Sequence, residues 1–162
     1  MLQLDVFLSA SSKDREFAQR LAKDLVAAGL RVWNQWDTTV GDSFAGAIEK
    51  GIRASRFMLI VMSPDYFQSA WTQQEWQYGL AEEVKVDRIR LVPILYRDCE
   101  IPPMLRTKQW ADFRDGDQYR LALAHLIRDL RSLSGAEPAA QPATEAPRSG
   151  EHVEQMDALH MR

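Results

Sequence analysis

The chain has 162 residues, enough for one domain with a sizeable core and a tail. Twenty basic residues against 23 acidic ones leave a net charge of −3, which sets no strong field for direct contact with nucleic acid or a membrane. The lone Cys99 excludes an internal disulfide and any CxxC site, and no apolar run approaches the ~18 residues of a membrane span. Met1 to Asp5 lacks the basic start and apolar core of a signal peptide, so the expected compartment is the cytoplasm.

Leu4 to Ser9 is a short apolar run of strand length, followed by the small residues Ser9, Ala10, Ser11 and Ser12. Ser11 with Asp14 three residues on has the spacing of a capping box. Phe17, Leu21, Leu25 and Ala28 then mark an amphipathic helix, closed by Gly29 as its C′ residue. Leu30 to Trp33 reads as a second strand, and Asn34 to Ser43 has loop chemistry ending in Gly41-Asp42-Ser43. Phe44, Ala47, Ile48, Ile52 and Ala54 give the next helix its stripe.

Phe57 to Met62 is the most continuous apolar run and suits a central parallel strand covered on both faces. Ser63-Pro64-Asp65 opens a turn. No Pro or Gly interrupts Gln68 to Tyr78, which predicts helix across that whole segment. On such a helix Trp71, Glu75 and Tyr78 share one face, with Tyr78 packing beneath the glutamate, while Trp76, Leu80 and Val84 turn inward. Ile89 to Tyr96 is a further strand, which Pro93 places near an edge or makes irregular at that point. Gln109 to Phe113 predicts a minimal last strand, and Tyr119 to Leu133 a closing helix.

Strands that alternate with helices define an α/β fold with a parallel sheet of about five strands and helices on both faces. From Ser134 the composition turns to Ala, Pro, Glu and Ser, with Pro138, Pro142 and Pro147 spaced through it. Such a segment cannot build a core. The expected division is therefore a domain over residues 1–133 and a disordered linker or tail over 134–162. A linker implies a partner module beyond it; an ordinary tail implies none.

Several chemistries are excluded by absent motifs. No GxGxxG, GxxxxGK[ST] or GxSxG pattern occurs. His125, His152 and His160 have no metal-ligand spacing, so no metal is expected. The central strand ends in Val61-Met62-Ser63 and supplies no phosphoacceptor aspartate. What remains is Glu75 beside an indole, with the loops after the first two strands converging on the same sheet edge. A carboxylate with stacking rings and no metal suits cleavage of an N-glycosidic bond whose leaving group is already cationic. Nicotinamide leaves NAD+ as a neutral base, so one carboxylate can suffice by stabilising the oxocarbenium-like ribose. An indole stacked on the pyridinium adds ~1–2 kcal/mol when desolvated.

Over about residues 4 to 133 the chain resembles a Toll/interleukin-1 receptor (TIR) domain. The resemblance is carried by Asp5-Val6-Phe7-Leu8-Ser9, by Gly29-Leu30-Arg31-Val32-Trp33 and by Gly41-Asp42-Ser43-Phe44 with Gly51-Ile52-Arg53-Ala54-Ser55. Ile60 to Trp71, through Ser63-Pro64-Asp65-Tyr66-Phe67, continues it into the glutamate helix. It implies a three-layer, flavodoxin-like α/β fold. Glu75 matches the catalytic glutamate of NAD+-cleaving members, and Trp71 an aromatic lining the nicotinamide-ribose pocket. Ser9, Ala10 and Ser11 fall in the first loop and Ser43 in the BB loop, both of which border that pocket. Family members often carry Asp two residues after the aromatic of the second strand. Gln35 stands there, and Asp37 is the nearest carboxylate. Trp33, Trp36 and Trp110 read first as packing residues, with Trp36 the best exception because it sits in the BB loop, and Trp33 is kept among the substrate-binding candidates.

The function implied is that of an NAD+ hydrolase or cyclase in a defence or signalling pathway. It would take NAD+ as substrate with no cofactor, and self-association with other TIR domains would activate it. The alternative is a non-catalytic adaptor acting through TIR–TIR contacts.

Overall fold

The computed structural model describes residues 4–34, 44–86 and 89–134 of the chain. Residues 1–127 form one compact unit; the second, 128–162, is described only in its helical start, through residue 134. The strands are β1 (Leu4–Ser9), β2 (Val32–Asn34), β3 (Ser55–Met62), β4 (Arg90–Leu95) and β5 (Ala111–Asp112). Between them run α1 (Arg15–Ala27), α2 (Phe44–Ala54), α3 (Pro64–Gln68), α4 (Ala70–Val86) and α5 (Pro103–Arg106), and α6 (Tyr119–Leu133) follows the last strand. All strand pairs are parallel, in the order β2-β1-β3-β4-β5. The chain steps outward from β1 to β2 and then crosses back to β3. That reversal leaves a crevice above the carboxyl ends of β1 and β3, where open α/β sheets bind ligands.

The expected period-two burial sorts the sheet's side chains into two cores. Phe7, Met58, Ile60, Met62, Leu91 and Leu95 cluster with Ile52 of α2, Tyr66 of α3 and Trp76 of α4. Alternate residues, Val6, Leu8, Leu59, Val61 and Ile94, are equally buried and face the opposite side. The apolar stripe of α1 (Ala18, Leu21, Ala22 and Leu25) is buried too. The Tyr119 hydroxyl at the start of α6 ties to α1 through a 2.7 Å hydrogen bond to Asp24. β3 is buried at every position but Arg56, as a central strand covered on both faces should be.

Two local predictions hold in detail. Gly29 closes α1 in a Schellman motif at φ +97°: its N–H bonds the Val26 carbonyl, and the Leu30 N–H bonds that of Leu25. Pro93 lies in the fourth strand of five, next to the edge. The Tyr96 N–H bonds Met62 on β3, so by alternation the Pro93 nitrogen faces the other side, towards β5. There β5 pairs only with Ile94 and Leu95, so no donor is missed at Pro93. One step below, Glu83 of α4 accepts the Leu91 N–H at 2.9 Å and pairs with Lys108 at 3.0 Å. A proline, a carboxylate and a two-residue strand together leave little of this edge open to another chain.

Two predictions are corrected. Helix does not run unbroken from Gln68, because that residue ends α3 and Ser69 is extended at φ −86°, ψ 124°. The cause is a second capping serine: Ser69 Oγ accepts the Thr72 N–H at 3.4 Å. The Thr72 hydroxyl bonds the Tyr66 carbonyl and pins the corner. Nor does Asp14 close a capping box with Ser11. Ser11 caps a short 3₁₀ turn by accepting the Lys13 N–H, while the buried Asp14 carboxylate takes a 2.5 Å bond from Ser63 Oγ. No helix among the described residues is long and apolar enough to cross a membrane.

Candidate functional site

Three elements bring three side chains to the crevice. Ser9 is the last residue of β1 and pairs with Ile60 of β3. Ser63 caps the helix that follows β3, and Tyr66 in its first turn points inward with no exposed surface. The Ser69 corner restarts the chain as α4, so that Glu75, in the second turn, faces the sheet and is only 3 % exposed.

Ser9 Oγ donates to Glu75 Oε1 at 2.5 Å and lies 2.8 Å from Tyr66 Oη. The other carboxylate oxygen, Oε2, is buried and has no hydrogen-bond partner among the described residues, and neither has Trp76 Nε1 beside it in the chain. Buried polar atoms are rarely left unpaired, so an uncommitted carboxylate oxygen at a switch point marks a site. Burial raises the Glu75 pKa from 4.5 to about 7, with the Ser9 hydrogen bond pulling the other way. Burial and the Glu75 charge together hold the Tyr66 phenol well above its usual range, so Tyr66 keeps its proton.

The predicted residues divide three ways. Glu75 and Ser9 are in direct contact, and Ala10 and Ser11 are buried in the loop that follows. Trp33 is occupied with packing: its ring stacks on Phe7 with centroids 4.8 Å apart and lies against Gly51. Asp37 and Ser43 lie outside the described residues. Trp71 is in the first turn of α4, and its side chain is also outside them. Tyr78 is partly buried against the core cluster, and its hydroxyl accepts a 2.9 Å bond from Arg53 Nε that ties α4 to α2. The residue that sequence reasoning missed is Tyr66, 57 positions from Ser9. Its one signal is a tyrosine three residues after the Ser63 cap, which does not say where the hydroxyl goes.

Among the described residues no group of His, Cys, Asp and Glu gathers to hold a metal ion. A separate groove of about 490 Å³ is lined by Phe17, Tyr96, Phe113 and Tyr119 with Arg20 and Arg97. It shares no residue with the Glu75 cluster, and Phe17 already stacks on Tyr96 at 4.0 Å. Cys99 packs against the core, where burial raises its thiol pKa and makes it a poor nucleophile.

A doubly wound parallel sheet with an inward carboxylate at its switch point defines the class. The chain belongs to the TIR domain family, whose sequence profile matches residues 6–127. Among solved structures it is similar to the TIR domain of the Toll-related receptor TRR-2 from Hydra magnipapillata. That match has 32% identity and a TM-score of 0.69, and covers 80% of this chain and 99% of the other. Among curated proteins it is 36% identical to the NAD(+) hydrolase PdTIR of Paracoccus denitrificans, over 57% of this chain and 31% of that protein. It is 32% identical to the 2′ cyclic ADP-D-ribose synthase AbTIR of Acinetobacter baumannii, over 59% of this chain and 36% of that protein. The chain thus spans about a third of the length of these curated relatives.

Proposed function

We propose that the chain cleaves the nicotinamide–ribose bond of NAD+, with Glu75 as the catalytic carboxylate. The observation that carries this reading is the buried Glu75 at the β1/β3 switch point with its Oε2 uncommitted. Family relatives named as NAD+ hydrolases and cyclic ADP-ribose synthases support it. In the reaction the C1′–N bond breaks with its electron pair going to the pyridinium nitrogen, and neutral nicotinamide leaves. The cation left on the ribose is stabilised by the carboxylate, in a site where burial makes that attraction strong. Water adding to C1′ with loss of a proton gives ADP-ribose; a hydroxyl of the same molecule gives a cyclic isomer.

Ionised Glu75 is the working form, and near pH 7 the free protein holds it about half ionised. A cationic substrate beside it favours that form further. The cytoplasm, which holds NAD+ and keeps a lone thiol such as Cys99 reduced, is the compartment this reading takes. Other TIR domains are the proposed partners, one chain completing its neighbour's site through the 34–43 segment.

Incubating an artificially clustered form with NAD+ and resolving the products by chromatography tests the proposal. Glu75→Gln is expected to lose at least about a hundredfold in nicotinamide release. Equal turnover by both forms removes Glu75 from the mechanism. Similarity to a receptor TIR domain over most of this chain favours a second reading, an adaptor acting by contact alone. Turnover by neither clustered form would select it.

A further inference from the structure

Ser9, at the end of β1, borders the loop expected to touch substrate, yet its one hydroxyl proton is already committed. A serine hydroxyl has one proton and two lone pairs. The proton goes to Glu75 Oε1 at 2.5 Å, so the 2.8 Å contact with Tyr66 must be donated by the tyrosine. Among the described residues the hydroxyl of the fully buried Tyr66 has no other partner. The result is a chain with one direction, Tyr66 Oη–H to Ser9 Oγ–H to Glu75 Oε1.

We infer that Ser9 and Tyr66 are positioning residues for Glu75, a buried hydroxyl relay that ties down Oε1 and holds Oε2 ready for the ribose. The role given to Oε2 rests on the proposed reaction; the relay itself does not. A glutamate carries three rotatable bonds beyond Cα, and a working carboxylate must be held within fractions of an ångström. Here Oε1 is anchored to a hydroxyl at the end of a central strand, and that hydroxyl is anchored in turn to a fully buried ring packed edge-on against Phe67. Each O–H is polarised by the next acceptor, so the pair favours the charged carboxylate more than Ser9 alone would. Ser9 opposes the effect of burial on Glu75, the direction the relay requires.

α4 packs on β1, β4 and α3, meets β3 at Gly79 and is tied to α2 by Tyr78. Their charged or titratable groups are Asp5, Arg56 and Arg90 on the strands, Asp65 and Tyr66 on α3, and Glu49, Lys50 and Arg53 on α2, where Glu49 pairs with Arg53; Lys50 and Arg56 are exposed. Asp5 is engaged with Arg31 and Asp65 with Lys13, and Arg90 is exposed. The charge of Glu75 acts on Tyr66, where it adds to the effect of burial.

The test uses Tyr66→Phe, which removes one oxygen and keeps the ring, with Ser9→Ala and the double variant in the full-length chain. The titration midpoint of Glu75 is read twice. One reading is the pH dependence of unfolding relative to Glu75→Gln; the other is the pH profiles of kcat and KM for nicotinamide release from the clustered protein. Tyr66→Phe is expected to raise the midpoint by ~0.5–1 pH unit and lower kcat at pH 7 about two- to fivefold, with KM little changed. Ser9→Ala raises it further, and adding Tyr66→Phe to Ser9→Ala changes nothing more, because the relay is already cut.

An unmoved midpoint in Tyr66→Phe, additive shifts in the double variant, or an effect confined to KM would overturn the inference. The unfolding reading needs no turnover. A shift in Tyr66→Phe without NAD+ cleavage by the wild type refutes the reaction and keeps the relay. Cleavage with no shift does the reverse.

Discussion

Glu75 makes the fold weaker at neutral pH than it would otherwise be. Its carboxyl titrates at about 7 in the folded chain against 4.5 for the free group, because burial disfavours the charge. The folded state therefore binds this proton more tightly than the unfolded state. Below pH 4.5 both states are protonated and nothing is lost; between 4.5 and about 7 the fold weakens as pH rises. Glu75→Gln should therefore be more stable than wild type at pH 8, by on the order of 1–3 kcal/mol, and equal to it at pH 4. Denaturant unfolding at the two pH values measures this. A gap of the same size at both would mean that Glu75 does not titrate in this range.

At the scale of elements, the site depends on how closely α4 approaches the sheet. Gly79 lies on the inner side of α4, one turn beyond Glu75, where a Cβ would overlap Met58 Sδ of β3 and crowd Leu91 of β4. A larger residue there must push the helix outward or force Met58 to another rotamer. Gly79→Ala is expected to destabilise the chain by about 1–3 kcal/mol despite alanine's better helix propensity. Adding Met58→Ala should recover part of that loss. Denaturation midpoints of the two variants decide it: a single variant as stable as wild type would show that α4 has room to spare. The same close approach lets Glu75 reach Ser9, so lost stability and lost turnover should go together in Gly79→Ala.

At the scale of the whole molecule, the carboxylate and its relay come from a single chain, whereas the proposed neighbour contributes the 34–43 segment. Nicotinamide release should then rise more steeply than linearly with protein concentration, and rise again on artificial clustering. Strictly proportional turnover over a hundredfold range of concentration would mean that each chain works alone. An unpaired Oε2 in a buried crevice fits a site that another surface completes.

Much was legible in the amino-acid sequence alone. Alternating strand and helix patterns set the α/β class, Gly29 set the end of α1, and Pro93 placed β4 near an edge, because each is a short-range consequence of backbone chemistry. Glu75 stood out as well, through its motif. The orientation of α4 did not, since Ser63 and Ser69 cap two successive helices and the Thr72 contacts set the corner between them. Tyr66 and Asp14 were likewise hidden. Their partners, Ser9 and Ser63, lie 57 and 49 residues away in the chain, and pairings at that distance follow from how strands and helices stack, which no local pattern encodes.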